Sequence, residues 1–221
     1  MALGRTYGGV AAQMIKEKSK QPKLAGRTLG AERHICAFFH SKAEEYDVLG
    51  SFIKEGLDRG EKAVHIIDPV RKLEHCRSLE EMGVELSEVL RSGRLDVLGW
   101  EEAFPRETGF DPKRMAAQVE DTLLRSASRG FGATRIVCDM DWSPVMPPGS
   151  AVLLEYEARL NHVIPKYRDT VICAYDLSLF GAAQAMDALR AHPMALIGGM
   201  LHANPFFVPP EEFLDQLGGE E

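Results

Sequence analysis

The stretch TRIVCDMDW, residues 134–142, decides the fold class of this chain. It has the apolar core of a buried strand, and it ends on two acids and a tryptophan. Because side chains alternate along a strand, Asp139 and Asp141 share one face and Met140 takes the other. Acids at this point would hold a magnesium ion in an α/β protein that handles nucleotides. The question is whether this chain does so.

Outward from this stretch, strand-like and helix-like segments alternate along the chain. Alternation of this kind predicts an α/β fold, with a mainly parallel central sheet and helices on both faces. Asp111 and Pro112 mark a helix start, as cap and first helical residue. Residues 194–208 are predicted as a last extended segment or hairpin. The other strands are predicted at 34–39, 62–68, 94–100 and 170–177, and the helices at 44–61, 71–83, 85–93, 110–131, 150–167 and 181–192.

Length and composition indicate one domain of an ordinary globular kind. The 221 residues divide into a basic leader or arm (1–30), a single domain (31–217) and a short tail (218–221). A formal net charge of −7 disfavours direct nucleic-acid binding, which needs a basic face. The sequence has no signal-type stretch and no apolar run of the roughly 20 residues that cross a bilayer. We therefore expect a cytoplasmic protein without membrane contact.

Ligands of open α/β sheets bind at the carboxyl ends of the strands, near the point where strand order reverses. Glu157 joins the strand-end residues as a candidate, because its helix segment EYEARLN (155–161) mixes acids, an arginine and an asparagine. We predict no catalytic residue among the candidates. The ligand-binding residues predicted on this basis are Phe39, His40, Trp100, Asp139, Asp141, Trp142, Glu157, Tyr175 and Asp176.

The first strand-to-helix turn, FFHSKAEEYD (38–47), disfavours a phosphate site. A phosphate-gripping loop needs glycines, so that its N–H groups can approach the anion, and a lysine followed by Ser or Thr. This turn has no glycine, and Glu44 and Glu45 would repel a triphosphate. Ordinary ATP binding is therefore not expected. Asp139 and Asp141 then have two interpretations: they contact a ligand, or they cap the next turn or pair with an arginine such as Arg135.

The sequence patterns of metal sites, of serine hydrolases and of paired cysteines are weak or missing. No histidine stands in a His-x-x-x-His or Glu-x-x-His pattern, so we predict no metal site and no cofactor. A site assembled from separate strand ends, using Cys138 or Cys36 with a histidine, stays an alternative. Gly-x-Ser-x-Gly, which a Ser–His–Asp hydrolase would need, is missing. The four cysteines form no CxxC pair and are expected to be reduced and buried.

An ordered set of motifs resembles one family. HICAFFHSKAEE (34–45), DMDW (139–142), YEARLN (156–161), CAYD (173–176) and NPFFVPP (204–210) resemble the MEDS sensory domain, over about residues 34–210. The resemblance implies a relative of the RecA/KaiC-like fold with a degenerate phosphate loop. It also implies sensing of small molecules, such as hydrocarbon derivatives, beside a helix-turn-helix or kinase module. This sequence leaves no room for such a module, so we expect either that its output passes through a partner or that this is a stand-alone or truncated form.

Three functions follow from these observations. The first is a non-catalytic sensory domain that binds a small organic ligand in an apolar pocket with few polar groups. It would signal through a homo-oligomer or a regulatory protein partner. The second is a divergent nucleotide-binding or nucleotide-hydrolysing enzyme of the RecA-like class. The third is an assembly or scaffold protein that acts through its leader and its C-terminal segment. We favour the first.

Overall fold

A seven-stranded sheet forms the centre of the fold. The structure is a computed structural model, which describes residues 21–104, 110–142 and 150–218. The strand order in the sheet is β5-β4-β6-β7-β3-β8-β9, and all neighbours are parallel except the β8–β9 hairpin. This confirms the predicted fold class. The strands of the sheet are β3 (His34–Phe39), β4 (Lys62–Ile67), β5 (Leu95–Gly99), β6 (Thr134–Asp139), β7 (Thr170–Asp176), β8 (Met194–Ile197) and β9 (Met200–Ala203).

Helices connect the parallel strands. Ser41 caps the first of them by accepting a hydrogen bond from the Glu44 N–H, and Asp111 accepts from the Arg114 N–H at the start of another. Two short 3-10 turns lie at Pro69–Arg71 and Ile164–Lys166. The α-helices are α1 (Lys42–Asp58), α2 (Lys72–Glu81), α3 (Leu86–Arg91), α4 (Trp100–Ala103), α5 (Pro112–Ser128), α6 (Ser150–Val163), α7 (Ala182–Ala191) and α8 (Pro210–Gly218).

The sheet separates two apolar cores. One core lies between the sheet and the layer of α5 and α6, and it includes Cys36, Cys138 and Cys173. The other lies on the α1 side and includes Phe39 and Val137. Successive strand residues alternate between the two cores because each strand is buried on both faces. This explains why the strands are such continuous apolar runs.

The structure describes only part of the predicted leader and tail. The first 20 residues of the predicted leader and the last three residues of the tail lie outside the described residues. Before residue 31 the structure has a small antiparallel hairpin, β1 (Lys23–Leu24) and β2 (Arg27–Thr28). Leu24 and Leu29 are buried in the α1-side core, so this part of the leader packs on the domain. Across the part of the chain that the structure describes, every helix is too short or too polar to span a bilayer.

Candidate functional site

The carboxylates that end β6 are held by a lysine of the first turn of α1. Lys42 Nζ lies 2.8 Å from Asp139 Oδ2, 3.0 Å from Asp141 Oδ2 and 2.8 Å from Glu45 Oε2. The second interpretation named Arg135 as an example of an arginine partner, but the arginine beside these acids is Arg71, with its Nη1 3.8 Å from Asp139 Oδ2. Arg135 lies at the opposite end of β6, where its Nε contacts Glu61 Oε2 at 2.7 Å. Lys42 lies near Asp139 because α1 begins at the carboxyl end of β3. That end lies on the same edge of the parallel sheet as the carboxyl end of β6, two strands away.

The turn between β3 and α1 is occupied by its own side chains. Glu44 Oε2 accepts a hydrogen bond from the His40 N–H at 2.7 Å, and Ser41 Oγ accepts from the Glu44 N–H at 3.2 Å. Burial and the charge of Asp139 raise the pKa of Glu45 to about 8, in spite of Lys42. A phosphate at this turn would meet carboxylates, and two of the N–H groups that could bind it already have partners.

The other predicted strand-end residues point in different directions. Phe39 is buried in the α1-side core, and His40 is exposed. Tyr175 is buried in the opposite core, where it stacks on Phe38 with ring centroids 5.4 Å apart. Asp176 Oδ1 accepts from the Ser178 N–H at 2.8 Å and stabilises the turn after β7. Trp100 begins α4 and is half-buried. The strand ends are neighbours, but these side chains do not converge on one space.

A cavity of about 260 Å³ lies between the sheet and α5. Glu157 is the one member of the predicted set, all of which the structure describes, that lines it. The strand-end rule does not point to this space, because it lies along the face of β4, β5, β6 and β7. Its walls are mostly apolar, formed by Val64, Ile66, Leu98, Ala103, Phe104, Met115, Val119, Ile136, Met140, Tyr156 and Val171.

The polar lining of the cavity is divided between two regions. Lys62, Asp96, Arg125 and Arg129 contribute to one region, where the two arginines are exposed to solvent. Glu157 and the thiols of Cys138 and Cys173 contribute to the other, which is buried. A ligand in this cavity would therefore meet apolar walls, a charged mouth and a few polar atoms inside.

Aromatic side chains connect Trp142 to the cavity. The Trp142 ring centroid lies 5.0 Å from that of Phe104, which lines the cavity and contacts Tyr156 in turn. Trp142 is buried, and its indole N–H has no hydrogen-bond partner among the described residues. Trp142 thus lies behind the cavity wall, where its fluorescence can report on changes in the wall.

Four buried polar side chains meet beside the cavity: His34, Glu157, Cys173 and His192. They come from the start of β3, from α6, from β7 and from the residue after α7. One donor atom from each lies within 4.8 Å of all the others, so the group could hold a metal ion. Of these four residues only Glu157 is predicted from the sequence, because four separate elements give no local spacing motif. The available signal was strand parity, which puts His34 and Cys173 on the same face of neighbouring strands.

The environment of this group perturbs its titration. Burial raises the pKa of Glu157, and His192 and His34 would lower it only if their Nε2 atoms carried protons to donate. Burial, and next the proximity of His192, lower the pKa of His34. Burial and the Glu157 charge raise the pKa of the Cys173 thiol.

Comparison with known proteins identifies the domain. The model of the family described as MEDS, the MEthanogen/methylotroph, DcmR Sensory domain, matches residues 33–193. The chain belongs to the MEDS family. The matched MEDS residues include the sheet from β3 to β7, the cavity and all four side chains of the buried polar group.

Two relatives place this MEDS domain among known proteins. The transcriptional repressor DcmR of Methylorubrum extorquens is 24% identical over 179 residues, which are 80% of this chain and 64% of the repressor. The MEDS chain therefore spans less than two thirds of that relative. A KaiC-like protein from Pyrococcus horikoshii has a solved structure with a TM-score of 0.54 and 12% identity, over 80% of this chain and 77% of its own. This likeness shows the KaiC-like fold of the MEDS domain.

Proposed function

We propose that this chain is a non-catalytic sensory domain that binds a small, largely apolar organic molecule in the cavity between the sheet and α5. The observation that carries the proposal is a mostly apolar cavity inside the residues that match a sensory family. Its volume of about 260 Å³ lies just under the usual range of roughly 300–1,000 Å³ for drug-sized ligands. A molecule of few carbon atoms fits it best.

The lining indicates the chemistry of the ligand. Apolar walls favour a hydrocarbon body, because its transfer from water is favourable by about 25 cal/mol per Å² of buried apolar surface. The buried Glu157 carboxylate and the thiols can orient a single polar or polarisable substituent. Small hydrocarbon derivatives meet both conditions, in agreement with the class that the sequence resemblance implied.

The turn between β3 and α1 supports sensing over nucleotide hydrolysis. Lys42, the only cation that this turn itself supplies, is surrounded by Glu45, Asp139 and Asp141. A triphosphate would have to displace these contacts and approach four acids, counting Glu44. The likeness to a KaiC-like protein concerns the fold and does not change this argument.

Occupancy of the cavity would be transmitted by contact with another protein or a second copy of the chain. The β8–β9 hairpin forms one edge of the sheet, and its Ile197 and Met200 side chains are 46% and 60% exposed. Of the C-terminal aromatic residues, Phe213 is buried and Phe206 is 55% exposed. Exposed apolar side chains beside an open sheet edge favour association. A DcmR-like regulatory role would then follow from differential affinity for the two states.

A thermal-shift experiment tests the ligand site. The full chain would be heated with each member of a panel of one- to six-carbon halogenated, oxygenated and unsubstituted hydrocarbons, and separately with Mg-ATP. We expect at least one panel compound, and not Mg-ATP, to raise the melting midpoint. Val119→Phe, which fills the cavity, should weaken that binding tenfold or more. Leu124→Phe, on the exposed side of α5, should not. Stabilisation by Mg-ATP alone would favour the nucleotide enzyme instead.

A further inference from the structure

The buried group of His34, Glu157, Cys173 and His192 has more hydrogen-bond acceptors than donors on its inner side. His192 Nδ1 lies 2.7 Å from the carbonyl oxygen of Ala188, which accepts hydrogen bonds only. Nδ1 of His192 therefore carries the proton, and the neutral ring presents the Nε2 lone pair on its other side. That Nε2 atom is buried without a hydrogen-bond partner among the described residues, 3.4 Å from Glu157 Oε2.

His34 repeats this arrangement. Its Nδ1 lies 2.9 Å from Asn161 Oδ1. The Asn161 amide donates from Nδ2 to the Ala191 carbonyl oxygen at 2.8 Å, which fixes Oδ1 as the acceptor toward His34. The proton of His34 is therefore also on Nδ1, and its Nε2 lone pair faces Glu157 Oε2 at 3.2 Å. Histidines that bind a metal through Nε2 have the same outward hydrogen bond from Nδ1 to a carbonyl or carboxylate oxygen.

Three distances from Glu157 Oε2 match the edges of a tetrahedron of metal ligands better than they match a hydrogen-bonded ion pair. Zn–N and Zn–O bonds of about 2.0–2.1 Å and Zn–S bonds of about 2.3 Å put tetrahedral ligand atoms about 3.3–3.6 Å apart. From Glu157 Oε2 the distances are 3.2 Å to His34 Nε2, 3.4 Å to His192 Nε2 and 3.5 Å to Cys173 Sγ. Cys173 Sγ is 3.9 Å from His34 Nε2. Charge-assisted hydrogen bonds between nitrogen and a carboxylate are shorter, about 2.7–2.9 Å.

We propose that His34, Glu157, Cys173 and His192 bind one Zn²⁺ ion in a closed tetrahedral site. Binding forms a Zn–S bond and releases the Cys173 thiol proton to the buffer. One carboxylate, one thiolate and two neutral imidazoles then balance the two charges of the ion, so the buried site becomes electrically neutral. The ligands come from β3, α6, β7 and the end of α7, and the ion would therefore tie both ends of the matched domain together. The zinc test does not require the organic ligand, although Glu157 and Cys173 also line its cavity; with zinc bound, Cys138 would be the remaining thiol that faces the ligand.

Metal content of the purified full chain is the first test. The chain would be produced in zinc-supplemented medium, purified without chelators, desalted and measured by inductively coupled plasma mass spectrometry. We expect about one zinc per chain. Cys173→Ser and His192→Gln should fall to near zero. Cys76→Ser and His162→Gln, which change a thiol and an imidazole outside the group, should keep the metal. Equal zinc in all five proteins would overturn the proposal.

Cobalt substitution keeps the test decisive if the ligand variants do not fold. Wild-type chain stripped by a chelator would be titrated with Co²⁺ and followed by absorption. Tetrahedral coordination with one thiolate should give intense visible d–d bands and a thiolate-to-cobalt band in the near ultraviolet, and Zn²⁺ should abolish both by displacement. A stripped wild-type chain that binds neither ion at micromolar concentration, or a cobalt spectrum without the thiolate band, would overturn the proposal.

Discussion

Removing Lys42 should destabilise the protein in a way that depends on pH. In the Lys42→Met variant, Asp139, Asp141 and Glu45 lose the cation that lies within 3.0 Å of each. Breaking a fully buried ion pair costs about 3–5 kcal/mol, and breaking an exposed one about 0–1 kcal/mol. The Lys42 side chain is 17% exposed, and Arg71 stays 3.8 Å from Asp139. We therefore expect a loss of about 3 kcal/mol near neutral pH.

The pH dependence follows from Glu45. Its pKa is raised from 4.5 to about 8 in the folded chain, so folding favours its protonated form. This stabilising contribution is complete below pH 4.5 and is lost as the pH rises through 8. Without Lys42 the carboxylates repel one another more strongly, and the pKa of Glu45 rises further. The loss of stability should therefore be greatest at neutral to alkaline pH and shrink to about 1 kcal/mol near pH 5.

Urea unfolding followed by tryptophan fluorescence, at about pH 5 and about pH 7.5, measures both quantities. Lys54→Met is the matched control, because Lys54 lies on the same helix and pairs with the exposed Asp58. It should cost less than about 1 kcal/mol at either pH. The reasoning is refuted if Lys42→Met costs no more than Lys54→Met, or if its cost is the same at both pH values.

Three further predictions follow from other contacts. A Cβ on Gly56 would lie 2.5 Å from Arg135 Nε, so Gly56→Ala should lower the free energy of unfolding by more than about 2 kcal/mol, whereas Gly132→Ala, in open space, should change it by under about 0.5 kcal/mol. Burial lowers the pKa of His75 to about 4, so the contribution of His75 to the free energy of unfolding is present above pH 6.5 and is lost as the pH falls through 4. In acid unfolding, His75→Gln should therefore lose less stability between these pH values than wild type, and an equal or greater loss would contradict the assignment. Trp142→Phe should abolish any change of fluorescence on binding of a panel compound, and Trp100→Phe should keep it; the reverse result would move the ligand away from Phe104.

The sequence predicted the sheet well because its strands are buried on both faces. HICAFF, KAVHII and TVICAY are mostly apolar runs, and polar residues or turn-forming residues follow them. The β1–β2 hairpin was missed, since two-residue strands give no periodicity. Helix α8 was also missed, since no element was predicted beyond residue 208, although a proline at the first helical position, as Pro210 is, is typical of a helix start.

The candidate site was less predictable for a physical reason. The cavity depends on how α5 packs across the sheet, which places Met115 and Val119 opposite Ile136 and Val171. The rule that ligands bind at strand ends does not predict how far α5 lies from the sheet. The group of His34, Glu157, Cys173 and His192 likewise depends on the register of β3 with β7 and on where α7 ends. Such contacts between distant segments are properties of the assembled layers and leave no spacing signal in the chain.

Methyl NMR of the methionines tests whether the organic ligand binds in the cavity between the sheet and α5. Met115 and Met140 line the cavity, whereas Met186 and Met200 are 46% and 60% exposed and do not line it. The full chain would be labelled with ¹³C at the methionine methyl groups and titrated with the panel compound that stabilises it most. We predict shifts of the Met115 and Met140 resonances, with Met186 and Met200 unchanged. Shifts confined to Met186 or Met200 would contradict the account, and so would a stabilising compound that shifts none of the four.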